Sequence, residues 1–213
     1  IWNDSAYGLI EWKQVREYGR KAFVGFDNPD FVQLAQSFGA HGVRIQPGDS
    51  LEMALRAALV ELARVTGEQR YLEQAALFVE RRGHRTLPAH QFGWSYFSDD
   101  VPVRQARVLR GHAVRALYLA SGAVDVAVET GDDELLAAVI NQFDRTLARR
   151  TYITGGMGSR HTDEAFGEDF VLPADRAYSE SCAAVAAIML AWRLLLATGQ
   201  DRYADVIERI LFN

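Results

Sequence analysis

The stretch EAFGEDFVLPADRAYSESC, residues 164–182, concentrates side chains that can do chemistry. Its acids, with the one just upstream, are Asp163, Glu164, Glu168, Asp169 and Asp175, and Tyr152 and His161 lie near them in sequence. Two carboxyl groups flanking one bond can hydrolyse a glycoside, one as general acid and the other as base or nucleophile. The same residues would equally make a solvated acidic loop. The stretch ends on Glu180 and Cys182, the latter the only cysteine in the chain. Residues two apart do not share a helix face, yet at a helix start or in an extended turn both could reach one ion. A thiolate with a carboxylate suits zinc, while an isolated cysteine also serves as a small buried hydrophobe. His112, in RGHAVRALYLAS, falls mid-helix in a mostly apolar run, where it is either a satisfied core residue or a ligand.

Long helices must position these groups. From about residue 51 onward, apolar residues recur at helical spacing, over 103–129, 133–148, 178–197 and 201–212. Thr-Gly pairs at 66–67, 130–131 and 198–199 are each followed by polar residues that open a new periodic run. Such a glycine ends one helix and lets the next begin, so the pattern predicts stacked helical hairpins, closed into a toroid or left as an open solenoid. Two inserts interrupt the helices, 81–102 and 149–176; loops of that length inside a compact domain are usually functional or disordered, and their aromatic content argues against disorder. Residues 1–50 have a different texture. FVQLAQSFG reads as a short helix, HGVRIQ as a short strand, and PGDSLEMALRAAL as a helix capped by Asp49 or Ser50. The expected fold is mainly α, helical hairpins preceded by a short α/β segment; the resemblance given below implies that the hairpins are a partial (α/α) toroid.

A formal charge of −5 in 213 residues argues against a nucleic-acid or anionic-membrane surface. No signal peptide is recognisable at the start. The longest apolar run, AAVAAIMLAWRLLLATG, is broken by Arg193 and reads as a buried core helix rather than a membrane span. One cysteine excludes an internal disulfide framework, and the expected compartment is the cytoplasm.

From about Val60 to Asn213 the chain resembles the bacterial β-L-arabinofuranosidases of glycoside hydrolase family 127, formerly DUF1680. The segments that carry the likeness are GHAVRALYL, YITGGMGS, EAFGEDFVLPADRAYSESCAA and TGQDRYADVIERILFN. The resemblance implies a six-hairpin (α/α) toroid acting on an arabinose-containing oligosaccharide. It implies that Glu164 is the general acid/base, that Glu180 and Cys182 are two of four zinc ligands, and that His112 contacts the sugar. In that family the nucleophile is a zinc-bound cysteine from an adjacent Cys-Cys pair, displacing with retention. This chain has no such pair, so the expectation is an incomplete zinc site and no turnover by the chain as written. SDDVPVRQ also departs from the family, which has a histidine near the position of Asp100 and a glutamate near that of Gln105.

Residues 1–58 carry a second resemblance. IWNDSAYGLIEWKQ and NPDFVQLAQSFGAHGVRI are similar to the C-terminal part of thiamine-diphosphate enzymes of the acetolactate synthase type. It implies that Asn3 and Asp4 match the second half of a magnesium motif whose Gly-Asp-Gly half is missing, so neither magnesium nor thiamine diphosphate is expected to bind. The expected organisation is therefore a thiamine-diphosphate-type fragment over 1–58 joined to a glycosidase-type domain over 59–213, meeting within SLEMALRAALVELARVTGEQRYL. Two alternatives accompany the glycosidase reading. One is a non-catalytic chimeric helical scaffold, able to form homo-oligomers through unpaired helix faces; the other is a fragment of an acetolactate synthase-like enzyme.

Overall fold

The structure is a computed structural model describing residues 8–22, 25, 30, 33, 55–88 and 91–212. The chain divides into two compact units, Ile1–Leu51 and Glu52–Asn213. In the first unit, helix α1 spans Gly8–Tyr18, and the Glu11 carboxylate on it pairs with Lys21 at 2.7 Å. The expected strand at 41–46, the caps at Asp49 and Ser50, and the Asn3–Asp4 pair lie outside the described residues.

The second unit is helical. Its helices are α2 (Leu55–Thr66), α3 (Gln69–Arg81), α4 (Ala113–Thr130), α5 (Asp133–Arg149), α6 (Ser181–Thr198) and α7 (Arg202–Leu211). Among the described residues β pairing is confined to isolated bridges. Successive helices pair as hairpins, α2 with α3, α4 with α5 and α6 with α7. The first members also pack on one another, α2 on α4 and α4 on α6, giving the two-layered stack of a partial (α/α) toroid.

The repeated Thr-Gly pair explains the hairpins. Each threonine hydroxyl donates back to the carbonyl four residues earlier, Thr66 to Leu62, Thr130 to Val126 and Thr198 to Leu194. Each following glycine turns left-handed, at φ of 71°, 66° and 66° for Gly67, Gly131 and Gly199. That conformation suits glycine and leaves a carbonyl of the last turn satisfied by the glycine N–H.

The seam between α4 and α6 is built from small residues. Ala113, Ala116, Ala120, Ala123 and Ala127 are buried on α4, and Ala183, Ala186, Ala187 and Ala191 on α6. A helix this apolar belongs in a core, and one ion pair crosses the seam, Arg193 Nε to Asp125 at 2.9 Å. By length and composition alone Ser181–Thr198 would suffice to cross a membrane, contrary to the sequence expectation. It is also less buried than expected, because Val185, Trp192 and Leu196 leave an apolar face uncovered.

Helix α4 starts at Ala113, not at Val103 as the periodicity predicts. Pro102 begins a 3₁₀ turn over Val103–Gln105, and the chain then runs extended at Ala106. At Gly111 the backbone takes φ 71° so close to the preceding insert that a Cβ would lie 1.7 Å from the Ser95 carbonyl oxygen. Close backbone contact, invisible in hydrophobic spacing, decides this boundary.

Candidate active site

The second insert is held to the N-terminal end of α4 by backbone hydrogen bonds. The Ala113 N–H donates to the Glu164 carbonyl at 2.9 Å, and the Phe166 N–H donates to the Gly111 carbonyl at 2.9 Å. Ala165 also pairs with Arg160 across a tight loop. Farther along, the Ser179 N–H donates to the Gly158 carbonyl at 2.9 Å, which brings the entry of α6 alongside. Asp169 anchors the outer part of the loop by ion pairs to Arg149 at 3.0 Å and Arg150 at 2.7 Å. These two guanidiniums hold its carboxyl below the usual carboxylate range.

Three side chains meet where the starts of α4 and α6 come together. His112, at the N-cap of α4, sets its Nε2 2.9 Å from Glu164 Oε2. Glu180, at the N-cap of α6, completes a group in which one ligand atom from each residue lies within 4.8 Å of the others. Together His112, Glu164 and Glu180 could hold a metal ion. The histidine side chain is 10% exposed and the Glu164 side chain 43%, so a buried imidazole backs a carboxyl that solvent can reach. Tyr96 packs edge-on against the imidazole at 5.5 Å between centroids. Nδ1 of His112 is buried and has no hydrogen-bond partner among the described residues.

Tyr178 lies two residues before Glu180. Hydrogen bonding to Glu164, desolvation and the charge of Glu180 push its phenol up to about 12. Glu164 holds a left-handed backbone at φ 54° and Ser179 another at φ 39°. Non-glycine residues rarely adopt that region, and where they do the surroundings must enforce it. Strain therefore brackets the cluster on both of its loops.

The structure brings Glu164, His112 and Glu180 together. His112 is at a helix start rather than mid-helix, for the reason Gly111 supplies. Cys182 is exposed on the first turn of α6, which removes the buried-hydrophobe reading, and it is not a member of the three-residue group. The other acids of the insert are elsewhere. Asp163 is buried and paired with Arg160 at 2.8 Å, Glu168 and His161 are exposed, and Asp175 sits at the surface 3.6 Å from Arg176. The Tyr152 hydroxyl donates to the Pro173 carbonyl at 3.0 Å and braces the loop. Asp100 pairs with Arg110 at 2.6 Å. Sequence reasoning missed Tyr178, although its place in YSESC beside Glu180 was a usable signal.

A family model described as β-L-arabinofuranosidase, GH127 catalytic domain, matches residues 30–213. A non-reducing end β-L-arabinofuranosidase of Bifidobacterium longum is 35% identical over 196 residues, covering 84% of this chain and 30% of that protein. A GH127 β-L-arabinofuranosidase from Geobacillus stearothermophilus T6 superposes with a TM-score of 0.70 at 32% identity, covering 80% of this chain and 30% of that one. A second GH127 β-arabinofuranosidase gives a TM-score of 0.70 at 32% identity, covering 95% of this chain and 31% of that one. The chain thus spans about a third or less of these relatives. An acetolactate synthase of Bacillus subtilis is also 41% identical over 59 residues, 28% of this chain and 10% of that protein.

Proposed function

We propose, on the premise that this chain belongs to the GH127 β-L-arabinofuranosidase family, that it supplies the acid/base and metal-anchoring half of a retaining glycosidase site acting on a β-L-arabinofuranoside. The observation that carries the reading is the meeting of His112, Glu164 and Glu180 at the paired starts of α4 and α6. Glu164 would protonate the departing glycosidic oxygen and then take a proton from the attacking water, the double duty a retaining mechanism asks of one carboxyl. Its partial exposure lets a substrate reach it. His112, with its Nε2 2.9 Å from Oε2, holds that carboxyl in place.

The donor set at the start of α6 fits zinc. Cys182 offers an exposed thiol and Glu180 an oxygen on the same turn, and sulfur with oxygen donors is a common zinc pairing. Glu180 and Cys182 would hold the ion, which when bound keeps a ligating thiol deprotonated. Cys182, the single cysteine of these 213 residues, is assigned here as an anchoring ligand.

Two measurements test this reading. Zinc titrated into the chain should bind with an affinity that falls about tenfold or more in Cys182→Ser or Glu180→Gln; unchanged affinity in both would sink the metal assignment. Incubated with an aryl β-L-arabinofuranoside, the chain should give no turnover. Turnover abolished by Glu164→Gln would overturn the half-site clause, and turnover that survives Glu164→Gln would overturn the acid/base assignment itself.

A second reading, the non-catalytic helical scaffold, is favoured by the uncovered apolar face of Val185, Trp192 and Leu196. It predicts sedimentation that depends on concentration and a shift to monomer in Trp192→Glu; a wild-type monomer at all concentrations would remove it.

A further inference from the structure

The first insert, 81–102, opens on RRGHR, and none of its arginines enters the acid/base reading. Beside it lies a cleft of about 540 Å³, bounded by α2, α3, α4 and the insert itself. Phe78 on α3, Leu119 and Val126 on α4, and Phe97 from the insert supply apolar walls. A pocket of this size, mainly apolar with a few polar groups, is what small organic ligands occupy.

The charged groups of this cleft carry one sign. Arg81, Arg82 and Arg115 line it, and among the described residues no acid does. Elsewhere on the helical unit arginines are taken up by carboxylates, Arg104 by Glu80 and Asp132, Arg110 by Asp100 and Arg193 by Asp125. Among the described residues Arg81, Arg82 and Arg115 have no such ion pair. The charge of Arg82 is felt by Asp99, whose carboxylate is already held by the Gly83 and Leu87 N–H groups. Arg115 is kept in place by aromatic rings instead, its guanidinium lying 4.8 Å from the centroids of both Tyr96 and Phe97. Stacking of this kind uses the face of the guanidinium and leaves its in-plane N–H donors for an anion. Positive groups set around low-dielectric walls focus their field into the space between them.

We propose that this cleft binds an amphipathic organic anion, a carboxylate carried on an apolar body, with the body between α3 and α4 and the carboxylate at the arginines. A bare small anion gains little from exposed guanidiniums in water, so the apolar body must supply part of the affinity. The arginines supply the selectivity, because a guanidinium matches a carboxylate through paired N–H donors. The cleft stands independently of the roles given to Glu164 and Glu180. It adjoins their site through Tyr96, whose ring packs against Arg115 on one side and His112 on another.

The test uses the full chain and two fluorescent probes with the same ring system, anilinonaphthalene sulfonate and the uncharged phenylnaphthylamine. The sulfonate stands in for the carboxylate. In low salt it should bind about tenfold tighter than the uncharged probe, and the gap should close as salt is raised. Naphthoate should displace the sulfonate, and naphthalenemethanol at the same concentration should not. Arg81→Met and Arg115→Met keep the aliphatic stem and remove the charge. Each should weaken the sulfonate about fivefold and leave the uncharged probe within about twofold. Both arginines are exposed, so neither substitution threatens the fold, and a thermal melt checks this. Equal affinity for the two probes overturns the proposal, as does sulfonate binding unchanged in both arginine variants. Loss of sulfonate binding in Trp192→Glu, with the arginine variants unaffected, would place the probe on the uncovered face of α6 and overturn it equally.

Discussion

Two inserts leave the helical stack, and each is organised around one acid. In the first, Asp99 is 0% exposed and its carboxylate accepts the N–H groups of Gly83 and Leu87, each at 2.9 Å. Burial pushes its pKa up, but the backbone donors of Leu87 and Gly83 outweigh that and leave it below the usual carboxylate range. In the second insert, Glu164 is half exposed, sits on a strained backbone, and faces side chains rather than backbone donors. A carboxylate satisfied by the backbone is finished as a structural device. One that faces an imidazole and another carboxyl, with an edge open to solvent, still has exchangeable partners. The same functional group thus serves as a knot in one loop and a reagent in the other.

That contrast can be broken directly. Asp99→Ala leaves the Gly83 and Leu87 N–H groups without an acceptor and should destabilise the chain by on the order of 3 kcal/mol, read by denaturant unfolding. Glu164→Gly should act oppositely, raising stability by about 1 kcal/mol as the left-handed backbone strain is relieved. If Glu164→Gly destabilises as Asp99→Ala does, the two acids are both structural and the contrast collapses.

Other substitutions sharpen it. Arg193→Met strips the cation from a buried carboxylate between α4 and α6, and should cost about 3 kcal/mol at neutral pH. Burial holds the Asp125 pKa above its ordinary value despite Arg193. Its folded form therefore takes up a proton more readily than the unfolded form, and stability linked to that proton is lost as pH rises. The Arg193→Met penalty should accordingly shrink as pH falls, and a penalty independent of pH would contradict the burial argument. Gly111→Ala, forced against the Ser95 carbonyl, should lower stability by roughly 2 kcal/mol.

The smallest loss is expected at Asp132, which caps α5 by accepting the Leu135 N–H at 2.9 Å and pairs with Arg104 at 2.6 Å. Arg104, more than the cap itself, pulls its carboxyl down to about 2. A lowered folded value contributes stability above the ordinary carboxylate range that fades as pH drops toward 2. Asp132→Ala should thus cost about 1 kcal/mol at neutral pH and little in strong acid, by thermal melts across that range. A cost that persists in acid would assign the effect to lost packing instead.

Much of the fold was legible in the sequence. The helices α4 to α7 and their Thr-Gly punctuation follow from period and from glycine chemistry, both local properties. The link of Glu164 and His112 to one site came instead through the resemblance to the family, not through spacing. The false extension of α4 back to Val103 came from the same periodicity. Val103, Ala106 and Leu109 are buried as helix spacing asks, but on a 3₁₀ turn and an extended run.

The sequence by itself determined the hairpins, the family and the residue types available for acid/base and metal chemistry, because these depend on spacing along the chain. Only the tertiary structure decided which of the many acids stands at the site. Asp163, Asp169 and Asp175 are drawn off by arginines, whereas Glu164 is left facing His112 and Glu180. The physical reason is that a carboxylate's role is set by which donors reach it across space, and those donors come from residues far apart in sequence that only the packing of α4 against α6 brings together.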